Sequence, residues 1–388
     1  MKQQFIKFVE MTQANNIFNP TVLSPEEIQR YSRHIQVAEL GMEGQLKLKQ
    51  AKVLIVGSGG LGSPVLLYLA AAGVGTIGII DFDRVDVSNL QRQILFNVND
   101  IGESKAKTAQ QKLNQLNPHI QVKVFDEQLT RANARAIINQ FDVVVDGSDN
   151  FQTRYLVNDA CVLESKPLVF GSILQFTGQL SVFNALNELG ERGPNYRDLY
   201  PTPPEAGSVP SCTDAGVLGV LPGIIGTMQA NEVIKLLTGI GETLSGRLVL
   251  FDALKFEFRT IRYAKNPEVQ PITELIDYNQ FCGLSNAIEE IDFATYLDLK
   301  SKHVVQLIDV RELHEFQERN LGGLHIPLNE ISNRADELNR EALLVIHCKS
   351  GRRSAQAIQV LQNEFGFSNL LNLKGGIDAV PLELVASN

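Results

Sequence analysis

Short strand-like segments alternate along this chain with stretches whose apolar residues recur at helical spacing. They are KVLIV, with an unbroken apolar run from Val53 to Val56, TIGIID ending at Asp81, VKVFD, DVVVDGSD and PLVFGS. An apolar run without polar alternation reads as a strand buried on both faces. Strands of that kind alternating with helical stretches predict a doubly wound, mostly parallel α/β sheet. GQLSVF and RLVLFDALKFEFRTIRY read as an antiparallel extension of it. Between them lies YPTPPEAGSVPSCTDAG, rich in Pro, Gly and Ser and too long for a simple turn, hence a candidate mobile loop. A second, smaller α/β unit follows from Ile288. The pattern divides the chain into a first domain over 1–265, a linker over 266–287 and a second domain over 288–388.

Composition narrows the class. The chain has 388 residues, 44% hydrophobic and 20% charged, which suits a globular protein of two domains. A formal charge of −9 argues against a general nucleic-acid or anionic-membrane surface. Cys161, Cys212, Cys282 and Cys348 are too few and scattered for a disulfide scaffold, and a reducing, cytoplasmic compartment is expected. The N-terminal MKQQFIKFVEMTQANN lacks the apolar core of a signal peptide, and no apolar run reaches membrane-spanning length.

Chemistry concentrates first after Val56. Gly57, Gly59 and Gly62, with Gly60 between them, have the spacing of a Rossmann-like dinucleotide fingerprint that leads into a helix. Such glycines allow a tight turn and close approach of the backbone to phosphate. Asp81 ends the next run, where an acidic partner for ribose hydroxyls belongs. Asn89, Arg92 and Gln93 follow closely, and they suit a triphosphate better than a nicotinamide dinucleotide. Gly73 and Gly75 read as turn glycines behind the first helix.

The blocks RYSRHI, VLIVGSGGLGSP, DFDRVDVSNLQRQ, GESKA, VDGSDNFQTRY and SCTDAGVLGVLPGIIGTMQANEVIKLL occur in this order from Arg30 to Arg262. In them the first domain resembles the MoeB/ThiF family, relatives of ubiquitin-activating enzymes. The resemblance implies that AMP is joined from ATP to the C-terminal glycine of a small ubiquitin-fold sulfur carrier that ends in Gly-Gly, resembling MoaD or ThiS. A carboxylate attacking an α-phosphate meets like-charge repulsion, so fixed cations are the main catalytic resource. Arg92 and Lys105 are the candidates. Ser88, Asn89, Gln93 and Asn150 would supply neutral contacts, Asp81 would hold the ribose and Asp149 would hold Mg²⁺. The resemblance also implies a homodimer in which Arg33 reaches a second subunit's ATP site. Taken singly, each Arg or Lys is a solvated charge and Asp149 a turn or N-cap residue.

The second domain carries Ile346-His347-Cys348-Lys349-Ser350-Gly351-Arg352-Arg353-Ser354 between the apolar run LLVI and a helical stretch marked by Ala355, Ile358 and Leu361. A cysteine at a strand-to-helix junction faces successive backbone N–H groups, two arginines and a helix N-terminus. Each favours a thiolate and an anionic persulfide. His347 falls on the opposite face of the strand. With LIDVRELHEF, NLGGLHIPLNEI and NLKGGIDAV, this unit resembles a single rhodanese domain. That implies sulfur transfer through Cys348, with Asp309 and Arg311 serving the fold. A cysteine desulfurase or thiosulfate would be the donor.

The sequence departs from the family at one place. Most MoeB-like proteins carry two C-x-x-C pairs that bind a structural zinc. Here Asn195 and Asp198 stand at the first pair, and RYAKNPEVQP, where the second belongs, contains no cysteine. No structural zinc is therefore expected. Cys212 lies where some relatives have a cysteine that bonds to the carrier or relays sulfur. Cys161 is expected in the core, and Cys282, in the linker without a cationic cluster, is unassigned. The missing cysteines leave a second reading, a non-catalytic carrier-binding scaffold with a separate sulfurtransferase. The glycine fingerprint alone suggests a third, a nicotinamide-dependent oxidoreductase.

Overall fold

The computed structural model describes residues 22–204, 216–283 and 288–381. Two compact units divide the chain after Cys282. The first is built on eight strands: β1 (Lys52–Val56), β2 (Thr76–Ile80), β3 (Gln121–Phe125), β4 (Val143–Asp146), β5 (Leu168–Leu174), β6 (Thr177–Phe183), β7 (Arg247–Asp252) and β8 (Glu257–Arg262). They form one sheet in the order β3-β2-β1-β4-β5-β6-β7-β8. Strands β3 to β5 in that order run parallel, and β6, β7 and β8 extend the sheet antiparallel.

The apolar runs explain the layering. Val53 and Ile55 of β1 join a core with Leu69, Ile77, Val145 and Val233. Leu54 and Val56 point the other way, into a core with Ile137, Phe141, Val144, Tyr155 and Phe170. Side chains alternate across a strand, so a continuous run fills both layers. Helices Gly62–Ala72 and Leu221–Thr238 contribute to the first layer, and Phe151–Leu163 to the second. Chain order reverses across β1, which has β2 on one side and β4 on the other. Such a switch point opens a crevice at the carboxyl ends of the strands.

The stretch expected as linker is anchored to the first unit up to Cys282. Leu275, Ile276, Tyr278, Phe281 and Cys282 pack into the second layer of the first unit. Helix Tyr278–Phe281 has only four residues, too short to give a periodic signal in the sequence.

The second unit has β9 (Glu290–Ile291), β10 (Val305–Asp309), β11 (Leu324–His325), β12 (Leu343–His347) and β13 (Leu370–Leu373). These make a parallel sheet in the order β11-β10-β12-β13-β9. Ile308, Leu344, Ile346 and the helix residues Ala357, Ile358 and Leu361 form one core, and Leu307, Val345 and Leu373 another. Among the described residues, no helix is long and apolar enough to cross a membrane.

Candidate functional site

The crevice at the ends of β1, β2 and β4 is shaped by backbone contacts before any side chain enters it. Gly57 has φ 87°, a left-handed conformation that disfavours a side chain. Its N–H donates to the Ile80 carbonyl at 2.9 Å, and the Gly147 N–H donates to the Val56 carbonyl at 2.9 Å. A Cβ on Gly62 would lie 2.0 Å from the Gly57 carbonyl oxygen, so the turn closes only with glycine there. Gly59 is different: a Cβ would meet only the Gln93 amide, at 3.5 Å. Space above Gly59 is open. Gly73 ends its helix in the left-handed conformation, as a turn glycine should, whereas Gly75 is needed because a Cβ would meet the Lys49 carbonyl oxygen at 1.7 Å.

Asp81 is buried and largely committed within the protein. Its Oδ2 accepts from the Ser58 N–H and hydroxyl at 2.8 and 2.7 Å, and its Oδ1 accepts from the Asp83 N–H at 2.9 Å. A carboxylate has roughly four acceptor directions, so about one remains for a ligand hydroxyl. Asp81 thus holds the glycine turn first.

The Asn-x-x-Arg-Gln cluster follows. Asp86 caps the short helix Val87–Asn89 through the Ser88 N–H, and Asn89 reciprocates. The half-buried Arg92 donates to the Ser88 carbonyl at 3.0 Å, and its side chain borders Gly60. Gln93 is buried beside Gly59, and its Oε1 has no hydrogen-bond partner. A buried amide oxygen left unpaired costs about 1–3 kcal/mol, which a ligand or water donor would recover.

Lys105 begins helix Lys105–Leu116, is 5% exposed and pairs with Asp83 at 3.0 Å. Sequence reasoning missed Asp83, although its position two residues after Asp81 links the ribose candidate to the lysine. It also missed Asp146. Strand β4 ends at Asp146, three residues before Asp149, so Asp149 is on the loop rather than at the strand end. Asp146 is fully buried, accepts from the Ser148 N–H at 2.9 Å and lies 3.5 Å from the Arg154 Nε. Burial pushes its carboxyl above the usual carboxylate range, against the pull of Arg154. Asp149 is exposed at the mouth of this turn. Asn150 is the N-cap of helix Phe151–Leu163, its oxygen accepting from the Thr153 N–H, so its amide is partly spent on structure.

The structure therefore brings together Gly57, Gly59, Gly60, Gly62, Asp81, Arg92, Gln93 and Lys105, with the Gly147–Asp149 turn closing over Gly57. Arg33 is exposed on helix Ser32–Ile35 and donates to Gln36. Cys212 lies outside the described residues.

In the second unit, Cys348 follows β12 and precedes helix Arg352–Phe365. Its sulfur accepts from the Gly351 N–H at 3.1 Å and faces the Ser354 hydroxyl at 3.5 Å. Gly351, at φ 90°, is the helix N-cap, and that conformation aims its N–H at the sulfur. Cys348 is 1% exposed, under a rim of exposed Lys349, Ser350 and Arg352.

Arg353 donates to both oxygens of Glu315 at 2.6 and 2.8 Å, which ties the cysteine loop to helix Leu313–Glu318. The Arg353 guanidinium holds the Glu315 carboxyl down at about 2. Arg311 and Asp309 form a buried ion pair, and Arg311 also donates to the carbonyls of Glu315 and Arg319, an arrangement that fixes the loop. His347 is buried with no hydrogen-bond partner on either ring nitrogen, and burial pushes its pKa down. Its Nε2 lies 3.6 Å from the Asp309 carboxylate, which pulls the other way.

The other described cysteines are inert by position. Burial pushes the Cys161 thiol well up. Burial also takes Cys282 up to about 11, although Arg197 pulls the other way, so a cation does stand near it.

A crevice with a phosphate-type glycine turn bordered by Arg92 and a buried Lys105, on one chain with a cysteine at a strand-to-helix N-terminus, defines a nucleotide-dependent protein with a sulfur-handling domain. The comparisons with known proteins agree. The ThiF family pattern matches residues 31–271 and the rhodanese-like domain pattern matches residues 293–381. The chain belongs to the ThiF family and carries a C-terminal rhodanese-like domain. It is 46% identical over 374 residues to the "Probable adenylyltransferase/sulfurtransferase MoeZ" of Mycobacterium tuberculosis, covering 92% of this chain and 94% of that protein. It is 52% identical over 265 residues to the "Sulfur carrier protein adenylyltransferase" of Thermus thermophilus, covering 67% of this chain and 98% of that protein. Among solved structures, Escherichia coli MccB with ATP has a TM-score of 0.54 at 21% identity, covering 69% of this chain and 80% of that one, a likeness of fold.

Proposed function

We propose that this chain activates the C-terminal glycine of a small ubiquitin-fold sulfur carrier with ATP and then delivers sulfur to it from Cys348. It is an adenylyltransferase and a sulfurtransferase. The observation that carries this reading is one chain holding both the glycine-turn crevice with Arg92 and Lys105 and the Gly351-cradled sulfur of Cys348.

In the first step, the carrier carboxylate attacks the α-phosphate of ATP and pyrophosphate leaves. Arg92 and Lys105 offset the charge that builds on the phosphate oxygens. Gly57 to Gly62 let the backbone approach the phosphates, the Gln93 amide donates or accepts beside Gly59, and Asp81 offers its remaining acceptor direction to the ribose. Asp149, an exposed carboxylate on the loop after β4, fits Mg²⁺, which prefers oxygen ligands and would neutralise phosphate charge. Arg33 serves the site of a second subunit in a homodimer.

In the second step, the terminal sulfur of a Cys348 persulfide attacks the acyl-adenylate carbonyl and the bond to AMP breaks. The Gly351 N–H and Ser354 hydroxyl steady the sulfur anion. A second thiol, for which Cys212 is the candidate within this chain, then attacks the Cys348 sulfur; the thiocarboxylate leaves on the carrier, and the disulfide formed between the two cysteines is reopened by an external dithiol reductant. The persulfide is loaded by a cysteine desulfurase or from thiosulfate, in a cytoplasmic compartment that keeps thiols reduced.

ATP–pyrophosphate exchange by the purified chain tests the first step. Exchange should require a carrier ending in Gly-Gly and fall by roughly 100- to 1,000-fold on Arg92→Ala or Asp149→Ala. ATP binding without carrier-dependent exchange would instead indicate a scaffold.

A further inference from the structure

The family resemblance brings with it a structural zinc held by two C-x-x-C pairs, and the residues of this chain do not fit that ion. Such sites are built from thiolate and imidazole. Asn195 and Asp198 stand at the first pair, and the segment from Arg262 to Pro271 has neither cysteine nor histidine. Among the described residues, no group of three or more His, Cys, Asp or Glu side chains is placed to hold a metal. A cavity of about 490 Å³ at this place is lined by Asp159, Arg197, Asn266, Pro271 and their neighbours, with no thiol or imidazole.

We infer that a hydrogen-bonded clamp centred on the Asp198 carboxylate takes the place of the zinc and makes the first unit independent of metal for its fold. The Asp198 Oδ2 accepts from the backbone N–H of Asn195 at 2.7 Å and from its side-chain amide at 2.8 Å. The Asn195 oxygen in turn accepts from the Arg197 N–H at 2.9 Å, which closes a capping box over helix Tyr196–Leu199. The other Asp198 oxygen, Oδ1, accepts from the backbone N–H of Asn266 at 2.9 Å. One carboxylate thus ties the 195–198 turn to the segment beyond β8, the two places that the family's metal joins.

A second carboxylate continues the clamp. Asp159 accepts from the Arg197 guanidinium at 2.8 and 2.6 Å and from the Tyr278 hydroxyl at 2.8 Å. The guanidinium also lies over the rings of Tyr155 and Phe281, at 5.2 and 4.4 Å. Asn158 joins both parts, accepting from the Tyr196 N–H at 2.8 Å and donating to the Asn195 oxygen at 3.3 Å. Hydrogen bonds to a charged acceptor are about twice as strong as neutral ones, and a network whose members are mutually satisfied rigidifies the segments it joins. Chain segments around Asn266 and Tyr278 are therefore held by two carboxylates, a guanidinium and ring stacking, all supplied by the chain.

The full chain, produced with zinc in the medium, provides a test that needs no assay of the reaction. Metal analysis should find no stoichiometric zinc, and EDTA with 1,10-phenanthroline should leave the melting temperature unchanged. Asp198→Ala should lower the melting temperature by several degrees. It should also speed hydrogen exchange at the Asn266 amide while amides of β1 stay protected. Asn195→Ser, which keeps a capping oxygen but loses the amide bond to Asp198, should have a smaller effect. About one zinc per chain, or melting that drops with chelator, would overturn the inference even if Asp198→Ala fails to fold. So would unchanged melting and unchanged Asn266 exchange in Asp198→Ala.

Discussion

Glu315 sets how much positive charge the Cys348 loop can use. Two arginines beside a cysteine suggest a doubly cationic cradle, but Arg353 is claimed by a carboxylate 38 residues earlier in the chain. Such a tertiary pairing leaves no trace in a loop motif. The Gly351 N–H and the Ser354 hydroxyl face the sulfur directly. The pairing has a pH signature. The Glu315 carboxyl lies at about 2 in the folded chain against 4.5 ordinarily. Its contribution to stability is complete above pH 4.5 and is lost as pH falls from there to about 2. Thermal melting of the second unit should lose part of its acid sensitivity in that window on Glu315→Gln. The glycines of the first unit make a paired prediction. Gly62→Ala forces a Cβ to 2.0 Å from a carbonyl oxygen and should destabilise the chain by about 3 kcal/mol in denaturant melts. Gly59→Ala meets nothing closer than 3.5 Å, so stability should hold while the KM for ATP rises.

At the scale of elements, the apolar runs were legible because burial on both faces removes polar alternation, and β1, β2, β4 and β5 follow from them; β3, at the sheet edge, keeps polar alternation and has no fully buried position. The antiparallel extension was legible for the opposite reason: β8 is exposed along its whole length and mixes Phe258 and Ile261 with Glu257, Arg259 and Arg262. Ends of elements were less legible. VVVDGSD contains two aspartates, and only the fold separates buried Asp146 at the strand end from exposed Asp149 on the loop. The stretch 266–282 reads as linker because its anchors, Leu275, Ile276, Tyr278 and Phe281, have no strand or long-helix period. The strand-to-helix junction at Cys348 was legible in full, and it depends on one conformation. Gly351→Ala places a side chain at φ 90°, which should cost about 1–3 kcal/mol. The displaced N–H should slow sulfur transfer severalfold in single-turnover assays, with ATP–pyrophosphate exchange unaffected.

For the whole molecule, carrying both units on one chain makes the encounter of persulfide and activated carboxylate intramolecular, at an effective concentration set by the length and stiffness of the connection. The proposed homodimer adds a second dependence between sites. If Arg33 acts on the partner's nucleotide, Arg33→Ala and Arg92→Ala chains should each be nearly inactive in exchange. Mixed after subunit exchange, they should regain part of the activity, since one site of a mixed dimer has both arginines intact. The most direct test of the central claim is the mass of the carrier after turnover with ATP and a sulfur donor. Wild-type chain should convert the terminal carboxylate to a thiocarboxylate, one sulfur replacing one oxygen. Cys348→Ala should keep carrier-dependent pyrophosphate exchange yet leave the carrier without sulfur. A Cys348→Ala chain that still produced thiocarboxylate at the wild-type rate would contradict the account.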